Sequence, residues 1–314
     1  MSKQIYFITS VLNSGSGIMR ATQISLELKK HFDNVRVITP SEIPIKKSGV
    51  IFIWLKMFDV RLINSLKSNI HILDILDSYT DETKSIISEI DDALHQNIFD
   101  GIIVNSKYMA NYFRKNIGYK KRIYTIYHHW DPILSSIKVK NQNRLSFGYL
   151  GCLTGPFDNN FTHGKRLVED GIVKTLSSET KVKNSNTKLS QIDPTAFGKI
   201  VVDFNCHFSI RAEKRYFNFK TTAKLATAAA LNHNIITTSE KSTSEILPNN
   251  YPFLLENSEF NTVMDMVSRV KKDYYDNRIL WNQGLSMMEE VKHKLSIGKI
   301  ILKYVELIDT ECGA

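Results

Sequence analysis

The sequence predicts an α/β protein of two parallel-sheet halves facing a cleft, followed by a long C-terminal helical segment. Three observations predict it. Short apolar runs rich in Ile, Val, Phe and Tyr alternate with longer segments of helical period, the pattern of buried parallel strands joined by helices. The alternation breaks at Asp131-Pro132 and the polar residues 135–144, then starts again. The length of 314 residues fits two α/β domains of ordinary size, or one large one.

In the first half, residues 4–10 read as a strand and 13–17 as a turn leading into an amphipathic helix over 18–32. Gly15 and Gly17 in that turn let backbone amides approach a ligand at a helix start. The spacing is not Gly-x-Gly-x-x-Gly, because Arg20 stands at the last position, and a plain tight turn fits the same residues. Strands follow at 35–39, 49–55 and 69–77, the last bringing Asp74 and Asp77 to the carboxyl edge of the sheet. Residues 81–99 read as a long helix with an acidic first turn, and 101–106 as a strand. Ser106 caps a helix over 107–117, and a sixth strand spans 122–130.

Beyond the polar linker a strand begins at 145–151, with a loop at 155–160 and a helix at 165–169. The rest of 160–198 carries little pattern, with a helix or loop at 193–197. Residues 199–210 are one apolar run, read as a single buried strand emptying into the charged loop 211–220. The alanine-rich stretch 221–231 is strongly helix-forming. A buried strand at 235–239, a short helix within 240–248 and a strand at 251–256 complete this half. The remainder is helical, over 261–275 and 278–307. Strand, turn and helix repeat in this way in both halves, which makes each Rossmann-like and places a ligand cleft at the carboxyl edges.

The composition, 42% hydrophobic and 23% charged, is that of an ordinary soluble globular protein. No apolar run is long enough to cross a bilayer, and the N-terminus enters a strand directly, so neither a membrane span nor a signal peptide is expected. Cys152, Cys206 and Cys312 lack metal-ligand spacing and suit a reducing cytoplasm. The net charge of +9 reflects either a lysine-rich bias or an anionic partner: substrate, membrane surface or, ranked last for want of any binding motif, nucleic acid. Arg211, Lys214, Lys220 and Lys224 cluster where a strand ends and the alanine-rich helix begins. That is a place to hold a phosphorylated ligand.

These residues resemble the GT-B fold of nucleotide-sugar glycosyltransferases, and specifically members like glycosyltransferase families 1 and 4. The resemblance is carried by Lys224-Leu-Ala-Thr-Ala-Ala-Ala-Leu-Asn232-His-Asn234-Ile-Ile, then Glu245-Ile-Leu-Pro and Tyr251-Pro. Val104-Asn-Ser106 and Ile126-Tyr-His-His-Trp-Asp131 match family steps, and the last helix resembles one that packs back on the first domain. Asn232 and Asn234 stand where the pattern has glycine and proline. A glutamate pair seven residues apart is absent, with Thr227 near its second position, and no arginine follows the strand at 145–151.

The resemblance implies domains at 1–135 for the acceptor and 144–275 for the donor, with 276–314 as the returning helical segment. It implies transfer of a sugar from a UDP- or GDP-sugar, without metal or other cofactor, to a glycan or lipid-linked acceptor in surface polysaccharide synthesis. Negative charge growing on the leaving phosphate would be met by Arg211, Lys220 and Lys224, with Thr222 and Ser244 as hydroxyl donors or mere caps. Glu245, expected to open a short helix, would accept the ribose hydroxyls. Asp77 and Asp74 are candidates for the base, with His71 and His128 behind them, and Gly15 and Gly17 would bound the cleft. Aromatics and cations over 107–122 suit contact with an anionic membrane from the cytoplasmic side, or an ordinary basic helix. The alternatives are a nucleotide-sugar epimerase of the same fold and a non-catalytic sugar-nucleotide or glycan-binding protein.

Overall fold

The computed structural model describes residues 3–10, 12, 16–45, 48–76, 84–139, 143–149, 163–175, 201–202, 204–211, 218–220 and 223–313. The chain divides into two compact units. Unit 1 comprises Met1–His129, Asn218–Thr221 and Ile297–Ala314; unit 2 comprises Trp130–Phe217 and Thr222–Ser296.

Unit 1 is a parallel sheet of β1 (Gln4–Ile8), β2 (Asn34–Ile38), β3 (Val50–Leu55), β4 (Ile70–Asp74), β5 (Gly101–Val104) and β6 (Arg122–Thr125). Its order is β2-β1-β3-β4-β5-β6. Strands β1 and β3 are apolar on both sides, as parallel strands covered on two faces must be. Tyr6, Ile8, Phe52 and Trp54 face one core, with Ile90, Leu94, Met109 and Phe113. These come from α3 (Lys84–His95), α4 (Lys107–Tyr112) and the π-helical turn Phe113–Ile117 that continues it. A shorter helix, α2 (Val60–Ser65), is begun by Asp59, whose carboxylate accepts the amides of Arg61 and Leu62. Alternate residues Ile5, Phe7, Ile51 and Ile53 face a second core, with Ala21, Ile24, Leu28 and the C-terminal residues Ile300, Tyr304, Leu307 and Ile308. That face is covered by α1 (Ile24–Leu28), which extends the π-helical turn Gly17–Gln23. The expected cap of α4 is present, Met109 N–H donating to Ser106 Oγ at 3.1 Å.

Unit 2 is built on the parallel sheet β13-β12-β11-β8-β9, formed by β8 (Phe147–Tyr149), β9 (Val173–Thr175), β11 (Cys206–Ser209), β12 (Asn234–Thr238) and β13 (Leu254–Leu255). Its helices are α5 (Gly164–Glu169), α6 (Ala223–Ala230), α7 (Lys241–Ser244), α8 (Phe260–Asp276) and α9 (Ile279–Lys294). The alanines of α6 make a thin face against which α9 lies. A Cβ on Gly284 of α9 would sit 2.3 Å from Asn234 Oδ1, so only glycine permits this approach to β12.

Several expectations are corrected. The run 199–210 is two strands: β10 (Val201–Val202) pairs with β7 (Lys138–Val139) in a separate small sheet, while β11 enters the main one. Asn205 separates them, its amide oxygen accepting Ser146 N–H at 3.0 Å. The presumed linker therefore holds β7, preceded by a 3₁₀ turn over Pro132–Ser136. Strand β9 was not foreseen. Strand β4 ends at Asp74 and β6 at Thr125, short of the expected 77 and 130.

The expected single helix over 278–307 is two, α9 and α10 (Ile297–Cys312), the first in unit 2 and the second in unit 1. Trp130 explains the break. Its indole donates to Lys292 O at 2.9 Å and its amide to Leu295 O at 3.2 Å, satisfying carbonyls that a helix end leaves without partners. At the other end of α9, Asp273 accepts the amides of Leu280 and Trp281 at 3.0 and 2.7 Å.

Asn232 follows α6 with φ +56°, the left-handed conformation glycine or asparagine supplies after a helix. Its departure from the family pattern thus preserves the backbone requirement. Asn234 hydrogen-bonds Trp281 O and the Tyr251 hydroxyl from the first position of β12. His207 and His233 share a buried hydrogen bond, Nε2 to Nδ1 at 2.9 Å. Burial holds His207 well below the ordinary histidine range and pushes His233 down to about 4.

Two outcomes follow from unit 2. Asn232→Gly should leave urea stability nearly unchanged, whereas Asn232→Ala should cost about 1 to 2 kcal/mol, because alanine keeps the Cβ but loses the short polar side chain that makes the left-handed region tolerable for asparagine. The unfolded chain protonates His233 near 6.5 and the folded chain only near 4, so the unfolded state binds more protons between those values. Stability is therefore complete above the upper value and falls as pH drops through the window, by about 3 kcal/mol for this one group. Urea unfolding across that range should show the slope, and His233→Gln should remove this group's share of it while the share of His207 remains.

Candidate functional site

Doubly wound sheets bind ligands beyond the carboxyl ends of their strands, where the strand order reverses. In unit 2 the reversal falls between β8, which has β9 on its other side, and β11. Tyr149 ends β8, and the Nζ of Lys224, in the first turn of α6, lies 5.0 Å from the centroid of its ring. Gly148 lets the chain pass under Phe204, whose ring a Cβ would overlap.

Arg211 leaves β11 at this edge. It is buried, its amide donates to Thr238 Oγ1 at 3.1 Å, and its Nη1 lies 4.0 Å from Glu240 Oε2. Glu240 is buried too, accepting the Thr238 hydroxyl at 2.6 Å and the Thr243 hydroxyl at 3.0 Å. Two cations thus stand at one carboxyl edge, with an aromatic ring under one and a carboxylate beside the other. Such an edge can hold a phosphate and stack or orient what is attached to it.

Glu240, not Glu245, opens α7; Glu245 closes it, and its carbonyl accepts Lys294 Nζ at 2.9 Å. Ser244 bonds Ser239 Oγ and Glu240 O in the same turn. Lys220 is half-buried, while Lys214 and Thr222 lie outside the described residues. Sequence reasoning passed over Tyr149, Thr238 and Glu240. The hydroxyl-rich end of β12, Thr237-Thr238-Ser239 before a glutamate, was the available signal.

Unit 1 has its reversal between β1 and β3. Gly17 is buried at the start of the π-helical turn, a feature frequent at functional sites, and Gly15 lies outside the described residues. That turn carries Arg20 and Gln23. Arg20 is fully buried and bidentate to Asp74, Nε to Oδ2 at 3.0 Å and Nη2 to Oδ1 at 3.2 Å. Its Nη1 donates to Tyr127 O at 3.1 Å, and the Tyr304 hydroxyl of α10 reaches Asp74 Oδ2 at 3.4 Å. Burial raises the Asp74 carboxyl, while Arg20, Tyr304 and Lys56 pull it back down. Asp74 does reach the carboxyl edge as expected, but this geometry makes it a buried anchor.

His71 is likewise engaged in the core. Its Nδ1 accepts the Trp54 indole at 3.1 Å and its Nε2 donates to Leu66 O, a neutral tautomer kept so by burial. His128 donates Nδ1–H to His129 O at 2.9 Å. Asp77 lies outside the described residues. The carboxyl ends of β3 and β4 carry left-handed Lys56 (φ +64°) and Leu76 (φ +48°), strained positions of the kind that gather at functional sites.

In the basic helix region, Tyr108 and Tyr112 pack against Phe219 at 5.6 and 5.0 Å between ring centroids, and Phe113 is buried. Its aromatics therefore face the core of unit 1. No helix among the described residues is long and apolar enough to cross a membrane.

No protein-family model matches the chain, and no curated protein matches it significantly. Solved structures do. Sucrose-phosphate synthase from Thermosynechococcus elongatus matches with a TM-score of 0.63 at 11% identity, over 98% of this chain and 99% of that one. A glycosyltransferase from Rickettsia africae ESF-5 matches at 0.58 and 11% identity, over 98% of each chain. The pneumococcal O-GlcNAc transferase GtfA, in complex with UDP and GlcNAc, matches at 0.52 and 10% identity over 83% of this chain; this chain spans 56% of its length. These neighbours have the GT-B glycosyltransferase fold, and the likeness shows that this chain shares it.

Removing one partner of the buried Arg20–Asp74 pair should cost about 3 to 5 kcal/mol, because the other charge is left uncompensated. Arg20→Met and Asp74→Asn should each lower the urea midpoint strongly. Arg20→Met combined with Asp74→Leu should cost less than the sum of the single losses.

Proposed function

We propose that the protein is a glycosyltransferase that takes a sugar from a nucleoside diphosphate sugar, UDP- or GDP-linked, without a metal ion. The acceptor is a glycan or lipid-linked glycan, in surface polysaccharide synthesis. One observation carries the reading: Arg211 and Lys224 stand at the carboxyl edge of the unit 2 sheet where the strand order reverses, Lys224 above Tyr149. As the glycosidic bond to phosphate breaks, the sugar gains oxocarbenium character and the leaving diphosphate gains negative charge. Fixed cations in a partly desolvated place stabilise that charge without reorganising.

Lys224 is assigned to the phosphates with Arg211, and Lys220, Thr222 and Ser244 are assigned supporting contacts. Glu245 remains the proposed partner of the ribose hydroxyls. Asp77 and His128 are the proposed bases for the acceptor hydroxyl. Gly15 and Gly17 are proposed to line the acceptor side. A cytoplasmic location, on the face of an anionic membrane through the cations of 107–122, agrees with the net charge of +9.

Titration calorimetry with UDP and GDP, followed by turnover assays with the corresponding sugars, tests the reading. One nucleotide should bind, Lys224→Ala should weaken it about tenfold or more with an unchanged circular dichroism spectrum, and EDTA should leave turnover unaffected. Binding with no turnover on any acceptor would favour a sugar-nucleotide-binding protein. Release of an epimerised sugar without acceptor would favour an epimerase.

A further inference from the structure

Glu240 is placed where a phosphate site does not obviously need a negative charge. Its side chain and that of Arg211 are 7% and 6% exposed, so the carboxylate acts on the guanidinium with little screening by water. Each carboxylate oxygen accepts a threonine hydroxyl, from Thr238 and Thr243, which holds the group rigidly at the carboxyl end of β12. Thr238 also receives the Arg211 amide, tying the start of the loop after β11 to the same carboxylate. The charge contact is of another kind. Nη1 to Oε2 is 4.0 Å, attractive between opposite charges but too long for a hydrogen bond. A guanidinium held in this way is steadied without spending its donors on the carboxylate.

We propose that Glu240 is a built-in counter-ion of the donor site. It holds Arg211 in place when no ligand is bound, and it competes with the donor's diphosphate for that guanidinium. Nucleotide affinity is thereby set below what the cations alone would give. A reason to do so lies in turnover: the nucleoside diphosphate product carries more charge at its terminal phosphate than the donor, and a site of unopposed cations would release it slowly. The carboxylate recaptures Arg211 as the product leaves. Glu240 is thus a positioning residue acting through Arg211, and the inference rests on the donor-site reading above.

The test compares UDP and GDP binding by calorimetry in wild type, Glu240→Gln, Glu240→Asp and Arg211→Ala, with melting temperatures recorded without ligand. Glutamine keeps an oxygen for a threonine hydroxyl and loses the charge. Glu240→Gln should melt lower than wild type without ligand, yet bind the nucleotide about fivefold tighter, since removing a competing group releases its coupling energy to the ligand. Glu240→Asp draws the charge back by one methylene and should tighten binding by a smaller factor, so it carries the test should the glutamine variant not fold. A role limited to structure would weaken binding in both. If binding depends on Arg211 but neither variant tightens it, the counter-ion is overturned and the donor site stands. If wild type binds neither nucleotide, or Arg211→Ala binds as wild type does, both are overturned.

Discussion

The buried ion pair between Arg20 and Asp74 is the constraint on which unit 1 depends. Moving two charges out of water is expensive, and the cost is recovered only when the geometry is close to ideal and the remaining donors are used. Here the guanidinium spends two donors on one carboxylate and directs the third nitrogen at the carbonyl of Tyr127, while Tyr304 closes the carboxylate from α10. The turn after β1, the end of β4, the chain beyond β6 and the last helix are thereby tied at one point. Apolar packing alone specifies position less sharply than such a network does. The π-helical turn fits this constraint, since the same turn carries Gln23, which meets His129 at 2.8 Å.

Unit 2 uses charge in a different way. Its carboxyl edge is positive because Arg211 and Lys224 leave the sheet and enter the helix there, and the field of a helix start adds to theirs. The alanine face of α6 and Gly284 bring α9 close to the sheet, and Asn234 occupies that junction. Packing behind the edge is therefore tight, while the edge itself keeps Arg211 buried beside a carboxylate and Lys224 half-buried. The same chemical idea, a guanidinium beside a carboxylate, serves as an anchor in unit 1 at bonding distance. In unit 2 it is held at 4.0 Å, the separation on which the proposed counter-ion role rests.

Much of the architecture was legible because parallel strands buried on both faces leave continuous apolar runs, as at β3 and β5, and because Ser106 and the alanines of α6 carry local signals that do not depend on context. Asn232 shows how far such reasoning extends: its departure from a glycine pattern is resolved by a single backbone angle. The candidate site was legible as a cluster of cations and no further. Glu240 and Tyr149 belong to different elements from Arg211 and Lys224, and nothing in the spacing of residues announces which strand ends will be neighbours.

From its sequence alone this protein was determined to be a doubly wound α/β chain in two parts, with positive charge gathered before the alanine-rich helix. Those properties follow from hydrophobic period and local propensity, which are written along the chain. Tertiary structure decided that the run 199–210 belongs to two sheets, that Trp130 ends a helix by taking its last carbonyls, and that Asp74 is an anchor. Each of these depends on a partner distant in sequence, and a hydrogen bond or ion pair between distant residues leaves no periodic trace.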